Sequence, residues 1–400
     1  MTKRMKWFQG IWAMAASAHA SAWTLAIGAM LLFTTQSPAQ TFKVLYSFGA
    51  PPDAEFPTAG VVRDNAGNLY GTTIFGGAFG QGSVYRVNAS GKETVLYNFT
   101  GGTDGGLPFA GLIRDSQGNL YGTTTQGGDL ACVAPIGCGT VFKTDSSGNE
   151  TVLHSFAVGA DGEYPYASLY RDGTGNLYGT TVNGGSSANY GTVYKVTSSG
   201  EETVLYRFTG KGDGAFPFGA LVADSKGRLF GTTTQFGSSG GGSVFRLNGS
   251  GQLVTLGNLQ PTTGESPTAG VIRDSAGNLY GTATFAGQYS AGSVFKISPS
   301  GKETILYSFT NGSDGGTPYA GVVRDAAGNL YGTAFTGGIG FGTVFKIDLA
   351  NHFTVLYTFS GGVDGGNPWG GLTMDAAGNL YGTNSIGGVT GNGGVYKLTP

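Results

Sequence analysis

One phrase, written seven times, constrains this chain more than any other feature: Asn68-Leu-Tyr-Gly-Thr72, repeated from Asn119, Asn176, Arg228 (as RLFGT), Asn278, Asn329 and Asn379. Successive copies stand 51, 57, 52, 50, 51 and 50 residues apart. Three other phrases accompany each copy in fixed order. A segment like Ala110-Gly-Leu-Ile-Arg-Asp115 precedes it, and segments like Gly139-Thr-Val-Phe-Lys143 and Thr151-Val-Leu-His-Ser-Phe156 follow. Each is short, β-branched or aromatic, and bounded by glycine, which is the pattern of a strand. No stretch beyond residue 39 holds a helical period long enough to argue for a helix.

Four such strands joined by turns form an antiparallel meander. A single meander would leave two apolar faces and two edges uncovered, so the units must stack. The rungs of a parallel β-helix are much shorter than this repeat, which leaves radial stacking. The reading is all-β, a seven-bladed β-propeller of four-stranded antiparallel blades. Seven copies use essentially all of residues 40–400, and no second domain is expected. The chain enters on a fourth-type strand (Lys43-Val-Leu-Tyr-Ser-Phe48) and ends after a third-type strand (Gly394-Val-Tyr-Lys-Leu398). With the Ala-Gly-Leu strand innermost, the N-terminal strand completes the last blade and closes the ring.

Glycine is abundant, 75 of 400 residues, and charged residues are few at 12%. Low complexity does not follow, because 20 Tyr and 25 Phe recur in register and can fill a core. The turns use much of the glycine. Gly67 and its six equivalents lie between the first and second strands. Gly91, Gly148, Gly200, Gly251 and Gly301 lie between the third and fourth, with Asn351 in the sixth linker. Asn tolerates positive φ best among other residues, so these positions are read as left-handed hairpin turns.

Residues 1–39 read as an export signal. Lys3, Arg4 and Lys6 begin it, Trp23 to Phe33 is an apolar core, and Ser37-Pro38-Ala39 offers small residues for cleavage. Ile11 to Phe33 is also long enough to serve as an uncleaved anchor; cleavage is the expectation, because the small residues stand just before the first repeat strand. Beyond them no segment can span a membrane as a helix. The mature part carries 19 basic and 24 acidic residues without a basic run, so nucleic acid is not an expected partner. A secreted, periplasmic or cell-surface location follows, and there Cys132 and Cys138 are expected to pair. With no His or further Cys nearby, they make a poor metal site.

The phrase aGLirD-xxGNLYGTT-xGG-GTVFKl-xxGxetVLYsF, as in residues 110–156, resembles the GloVer tandem repeat of secreted bacterial proteins across residues 42–400. The resemblance implies an exported propeller of unassigned activity. Many members end in a sorting anchor, whereas this chain stops at Pro400 without one, so attachment is expected from the N-terminus or a partner. A more distant similarity is to the virginiamycin B lyase type of propeller, which needs a histidine near the central channel.

Function is expected on the face that receives the fourth-to-first connections and the second-to-third loops, since binding residues sit on variable loops of a rigid scaffold. Two rings stand out there. Asp53, Asp104, Asp161, Asp213, Asp314 and Asp364 each precede a proline by four residues, and the fifth connection departs with Gly264-Glu265-Ser266-Pro267. They are read as closing their own turns; Ca²⁺ is the cation such a ring would hold, and no cofactor is otherwise expected. The residue after each proline forms the second ring: Phe109, Tyr166, Phe218, Tyr319 and Trp369, with Thr58 and Thr268 in the other blades. This aromatic collar either packs between blades or meets a ligand, with Trp369 as its anchor. The arginines before the first turn (Arg63, Arg114, Arg171, Arg273, Arg324) are expected to ion-pair on the opposite face.

Catalytic signals are thin. His154 replaces an outer-strand tyrosine and His352 lies in a third-to-fourth turn, both away from the channel mouth. There is no nucleophile elbow, zinc-helix or phosphate-loop motif. The expectation is therefore a monomeric, non-catalytic propeller presenting a binding face to a glycan or an envelope protein. The alternative is a carbohydrate-active lyase or hydrolase using carboxylates at the channel mouth.

Overall fold

The computed structural model describes residues 40–50 and 52–400; the export signal read at 1–39 lies outside them. The described chain is a ring of seven antiparallel four-stranded sheets, a seven-bladed β-propeller. In blade two the strands are Ile113–Arg114 innermost, then Leu120–Thr124, Thr140–Thr144 and Glu150–Ser155 at the rim. The other blades repeat this order. Blade seven is completed by Thr41–Ser47, which pairs antiparallel with Gly394–Thr399, Phe42 opposite Leu398 and Ser47 opposite Gly394. Both the phase and the closure therefore match the sequence reading.

Each element of the repeated phrase has a physical task. The leucine of LYGT is buried in all seven blades. The glycine gives the third-strand aromatic ring its space: a Cβ at Gly71 would lie 2.4 Å from the Tyr85 hydroxyl, and one at Gly122 would lie 2.6 Å from the Phe142 ring. The first threonine ties blade to blade. Thr72 donates to the Ala110 carbonyl at 2.8 Å, Thr282 to that of Ala320 at 2.9 Å, and Thr383 closes the circle on Ala59 at 2.8 Å. A buried hydroxyl that reaches a backbone acceptor both satisfies itself and fixes the angle between blades.

The short-turn face is built on aspartate. Asp64 accepts hydrogen bonds from the Asn68 backbone N–H, the Asn68 side chain and the Tyr70 hydroxyl, at 2.8, 2.8 and 3.0 Å. Burial pushes its carboxyl up, but the Asn68 and Tyr70 bonds outweigh that and hold it below its ordinary range. Blade four changes both partners at once: Arg228 replaces the asparagine, Phe230 replaces the tyrosine, and Asp224 takes an Arg228 ion pair at 2.5 Å. Of the five arginines expected to ion-pair, four differ from expectation, while the charge of Arg324 helps to hold Asp274 of the preceding blade below its ordinary range. Arg63 lies over the Tyr381 ring, Arg114 over Tyr70, Arg171 over Tyr121 and Arg273 over Phe230, at 5.5–5.8 Å. Each guanidinium stacks on the preceding blade's ring instead of forming an ion pair.

Candidate functional site

The backbone before each collar residue is strained in the same way seven times. Phe56, Leu107, Tyr164, Phe216, Ser266, Thr317 and Asn367 all precede a proline and all have φ between 50° and 58°. A side chain at positive φ is unfavourable, and a following proline narrows the choice further. The conformation persists because hydrogen bonds hold it from both sides. The Leu107 N–H donates to Gln81 O in the preceding blade, at 2.9 Å, and its carbonyl accepts from Thr125 N in its own blade, at 3.2 Å. The Asn367 N–H likewise reaches Phe341 O, and its carbonyl accepts from Ser385 N. The kinked residue and its proline turn the chain into the inner strand, with the collar residue at its entrance.

Those seven residues meet. Thr58, Phe109, Tyr166, Phe218, Thr268, Tyr319 and Trp369 all line one central cavity of about 660 Å³. That volume lies within the range of small-molecule sites. The collar forms two aromatic arcs. Phe109, Tyr166 and Phe218 are in tilted contact, with centroids 5.1 and 5.2 Å apart. Tyr319 and Trp369 stack at 4.5 Å and 7°, and Phe335 stands edge-on to both. Trp369 is 38% exposed, so one face is packed and part of the ring remains open. Burial moves the Tyr166 and Tyr319 hydroxyls up, keeping them neutral.

Below the collar the wall is alanine and glycine, with leucine, valine and isoleucine of the inner strands such as Leu112, Leu221, Val271 and Leu372. Close approach explains the glycine: a Cβ at Gly270 would lie 2.1 Å from Ala220 O, and one at Gly60 2.5 Å from Gly371 O. Among the described residues the lining contains no Asp, Glu, His, Lys, Arg or Cys. Polar atoms in the wall belong to the backbone, three threonines, one serine, the two tyrosine hydroxyls and the Trp369 indole N–H.

The carboxylates expected near the mouth bond to their own turns, on the connection between the outer strand and the next blade. Asp104 accepts from Thr100 N at 2.8 Å and from the Tyr97 hydroxyl at 3.0 Å. Asp53, Asp213, Asp314 and Asp364 repeat this with Tyr46, Tyr206, Tyr307 and Tyr357. On the rim strand of blade two His154 takes the tyrosine's place, with Nε2 3.2 Å from Asp161 on the connection to blade three. Among the described residues no group of three or more His, Cys, Asp or Glu is placed to hold a metal ion. Cys132 and Cys138 form a disulfide inside the second-to-third loop of blade two, both sulfurs buried.

Three features of the blades escaped the sequence reading. The left-handed pre-proline residue had a signal, an x-Pro in every connection. The bridge between each connection and its own blade's second-to-third loop had none; it pairs Glu55 with Phe75, Glu163 with Asn183, and Glu265 with Phe285. The third is a half-buried glutamate at the start of several outer strands. Glu93, Glu150 and Glu202 are held near 7, first by burial and then by the neighbouring Asp53, Asp104 and Asp161.

A family model described as the Gloeobacter/Verrucomicrobia repeat matches residues 22–189, 133–340 and 303–400. No curated protein matches the chain. Among solved structures, the extracellular domain of a hybrid two-component system of B. thetaiotaomicron is similar at 12% identity and a TM-score of 0.58, over 90% of this chain and 39% of that one. PorZ, a surface component of the type-IX secretion system of Porphyromonas gingivalis, is similar at 14% and 0.52, over 88% and 47%. A protein of Bacteroides uniformis described as a 6-phosphogluconolactonase is similar at 14% and 0.51, over 82% and 99%. The chain spans less than half the length of the first two. At these identities the likeness is one of fold.

Proposed function

The chain belongs to the Gloeobacter/Verrucomicrobia repeat family, and we propose that it is an exported, non-catalytic propeller that binds carbohydrate at its aromatic mouth. The observation that carries this reading is the collar itself: five aromatic side chains gathered around a cavity with no charged side chain in its wall. A sugar ring offers an apolar C–H face and a rim of hydroxyls. Flat rings can cover the former while threonine hydroxyls and backbone groups bond the latter. A charged ligand would enter that wall uncompensated, which is costly.

The enzyme alternative is less well supported. A carboxylate-pair mechanism needs two carboxyls flanking the scissile bond, and the mouth-face aspartates bond to their own turns instead. The Cys132–Cys138 disulfide and the charge pattern of residues 1–39 support a location outside the cytoplasm.

Trp369 is the single tryptophan after residue 39, so its fluorescence reports the collar alone. Titrating the mature protein with hits from a glycan array should change that emission, and Trp369→Ala should weaken binding by about 1–3 kcal/mol. A protein that binds no glycan, or one whose affinity survives the substitution while its melting temperature falls, would make the collar core rather than site.

A further inference from the structure

The collar is not seven-fold. Two blades depart from it, and they depart together. Blades one and five carry Thr58 and Thr268 where five others carry aromatics. The same two blades carry Phe75 and Phe285 at the start of the second-to-third loop, opposite Glu55 and Glu265 in the bridge that ties this loop to the incoming connection. At the equivalent bridge position the other blades have Gln126, Asn183, Gln235, Thr336 and Ile386. Both phenylalanines are open, at 42% and 45% exposure, and Phe285 also lines the cavity. Phe75 stands edge-on to Phe56 at 5.9 Å and Phe285 edge-on to Tyr319 at 6.2 Å.

Residues opposite one another in an antiparallel bridge project on one side, so each pair sets a flat apolar ring beside a carboxylate, and three residues on from that glutamate stands the small collar threonine in place of an aromatic ring. An aromatic plate with an adjacent acceptor for hydroxyl protons is complementary to one sugar unit. In a ring of seven, blades one and five stand across the mouth from each other, with two blades between them on one side and three on the other. The two aromatic arcs lie between.

We infer that Glu55–Thr58–Phe75 and Glu265–Thr268–Phe285 are two matched rim subsites that hold one extended, neutral oligosaccharide laid across the mouth. This rests on the carbohydrate reading above and adds the ligand's shape and charge. Charge on this face excludes acidic chains. The connections there carry the six ring aspartates with Glu55, Asp129, Glu163 and Glu265, against Arg207 and Lys211 as cations. A uronic-acid chain would meet like charge at both rims.

The test uses ladders of two to six sugars in β-1,4-glucan, β-1,4-mannan and β-1,3-glucan, with oligogalacturonate as the acidic counterpart, followed by Trp369 fluorescence. For a ladder that binds, affinity should rise by about tenfold or more at the length that reaches both rims. Phe75→Ala and Phe285→Ala should each cut affinity for the longest oligomer by about tenfold, leave that of the shortest within about threefold, and leave the melting temperature unchanged. Trp369→Ala, followed by calorimetry because it removes the fluorescent reporter, should weaken every length. Length-independent affinity with both phenylalanine variants silent would overturn the two-rim arrangement while leaving a sugar site in the collar. Equal affinity for oligogalacturonate would overturn the neutral class. A collar that answers to an apolar peptide and to no sugar ladder would overturn the carbohydrate reading itself, and this inference with it.

Discussion

Two stretches of the ring join their blades by different chemistry, although the repeat is the same. Between blades five and six, and between six and seven, the outer strands meet through stacked rings: Phe353 on Tyr307 at 3.8 Å and Phe42 on Tyr357 at 3.9 Å. From blade seven to blade three the same position is glutamate. Glu93 lies by Tyr46, Glu150 by Tyr97 and Glu202 by His154, and one oxygen of each carboxyl is buried with no hydrogen-bond partner. Stacking gives an apolar seam that is indifferent to pH, whereas the carboxyl seam costs stability whenever the glutamate ionises. One scaffold can therefore carry a fixed arc and a titratable arc, and the interblade hydrogen bonds of Thr72 and its equivalents hold both in the same geometry.

The closing strand takes part in both arcs, so it is where the contrast breaks most completely. Phe42 belongs to the aromatic seam and Tyr46 to the carboxyl seam, and Phe48 is fully buried. Deleting residues 40–48 should cost more than about 5 kcal/mol, beyond any single substitution, with loss of a cooperative unfolding transition. An unchanged melting temperature would show that closure does not depend on this strand. A smaller effect is expected within the aromatic arc alone. Phe353 touches Tyr307, Phe309 and Phe345, and Phe353→Ala should cost about 2–4 kcal/mol at any pH from 5 to 8. Chemical denaturation across that range would expose a pH-dependent loss, which a purely apolar seam forbids.

How much of this was legible in the residues follows from distance along the chain. The blades, their phase and the collar positions could be read because a repeat writes the same information seven times. The Asp64–Asn68–Tyr70 unit was also present in six of the seven copies, and the joint change to Arg228 and Phe230 beside Asp224 in the other hinted at its coupling. It went unread because its partners lie across a hairpin. Glu93 opens what reads as an exposed rim strand, and the tyrosine that buries it belongs to the previous blade. The pairing of Glu55 with Phe75 depends on a bridge between a connection and a loop, whose register no local pattern specifies.

The carboxyl arc gives the smallest effect and the sharpest sign. Glu93, Glu150 and Glu202 are held near 7 in the folded protein, against about 4.3 in an unfolded chain. Between those values the folded state binds more protons than the unfolded one, so stability falls as pH rises from about 4 to 7 and the loss is complete above 7. The short-turn aspartates, held below their ordinary range, act in the opposite direction and only at lower pH. Replacing all three glutamates with glutamine should leave stability near that of the parent at pH 4.5 and raise it at pH 8. The gain should be about 1 kcal/mol per site, because half-open carboxyls are screened by solvent. Glu303 separates the causes. It is raised by burial, but its partner is Thr263, whose hydrogen bond lowers it, and no ring aspartate stands beside it. Glu303→Gln should therefore show the same sign with a smaller gain than Glu93→Gln. Equal gains would assign the whole effect to burial and none to the aspartates, whereas a loss of stability at pH 8 on either substitution would mean that these carboxyls stabilise the seam in their ionised form.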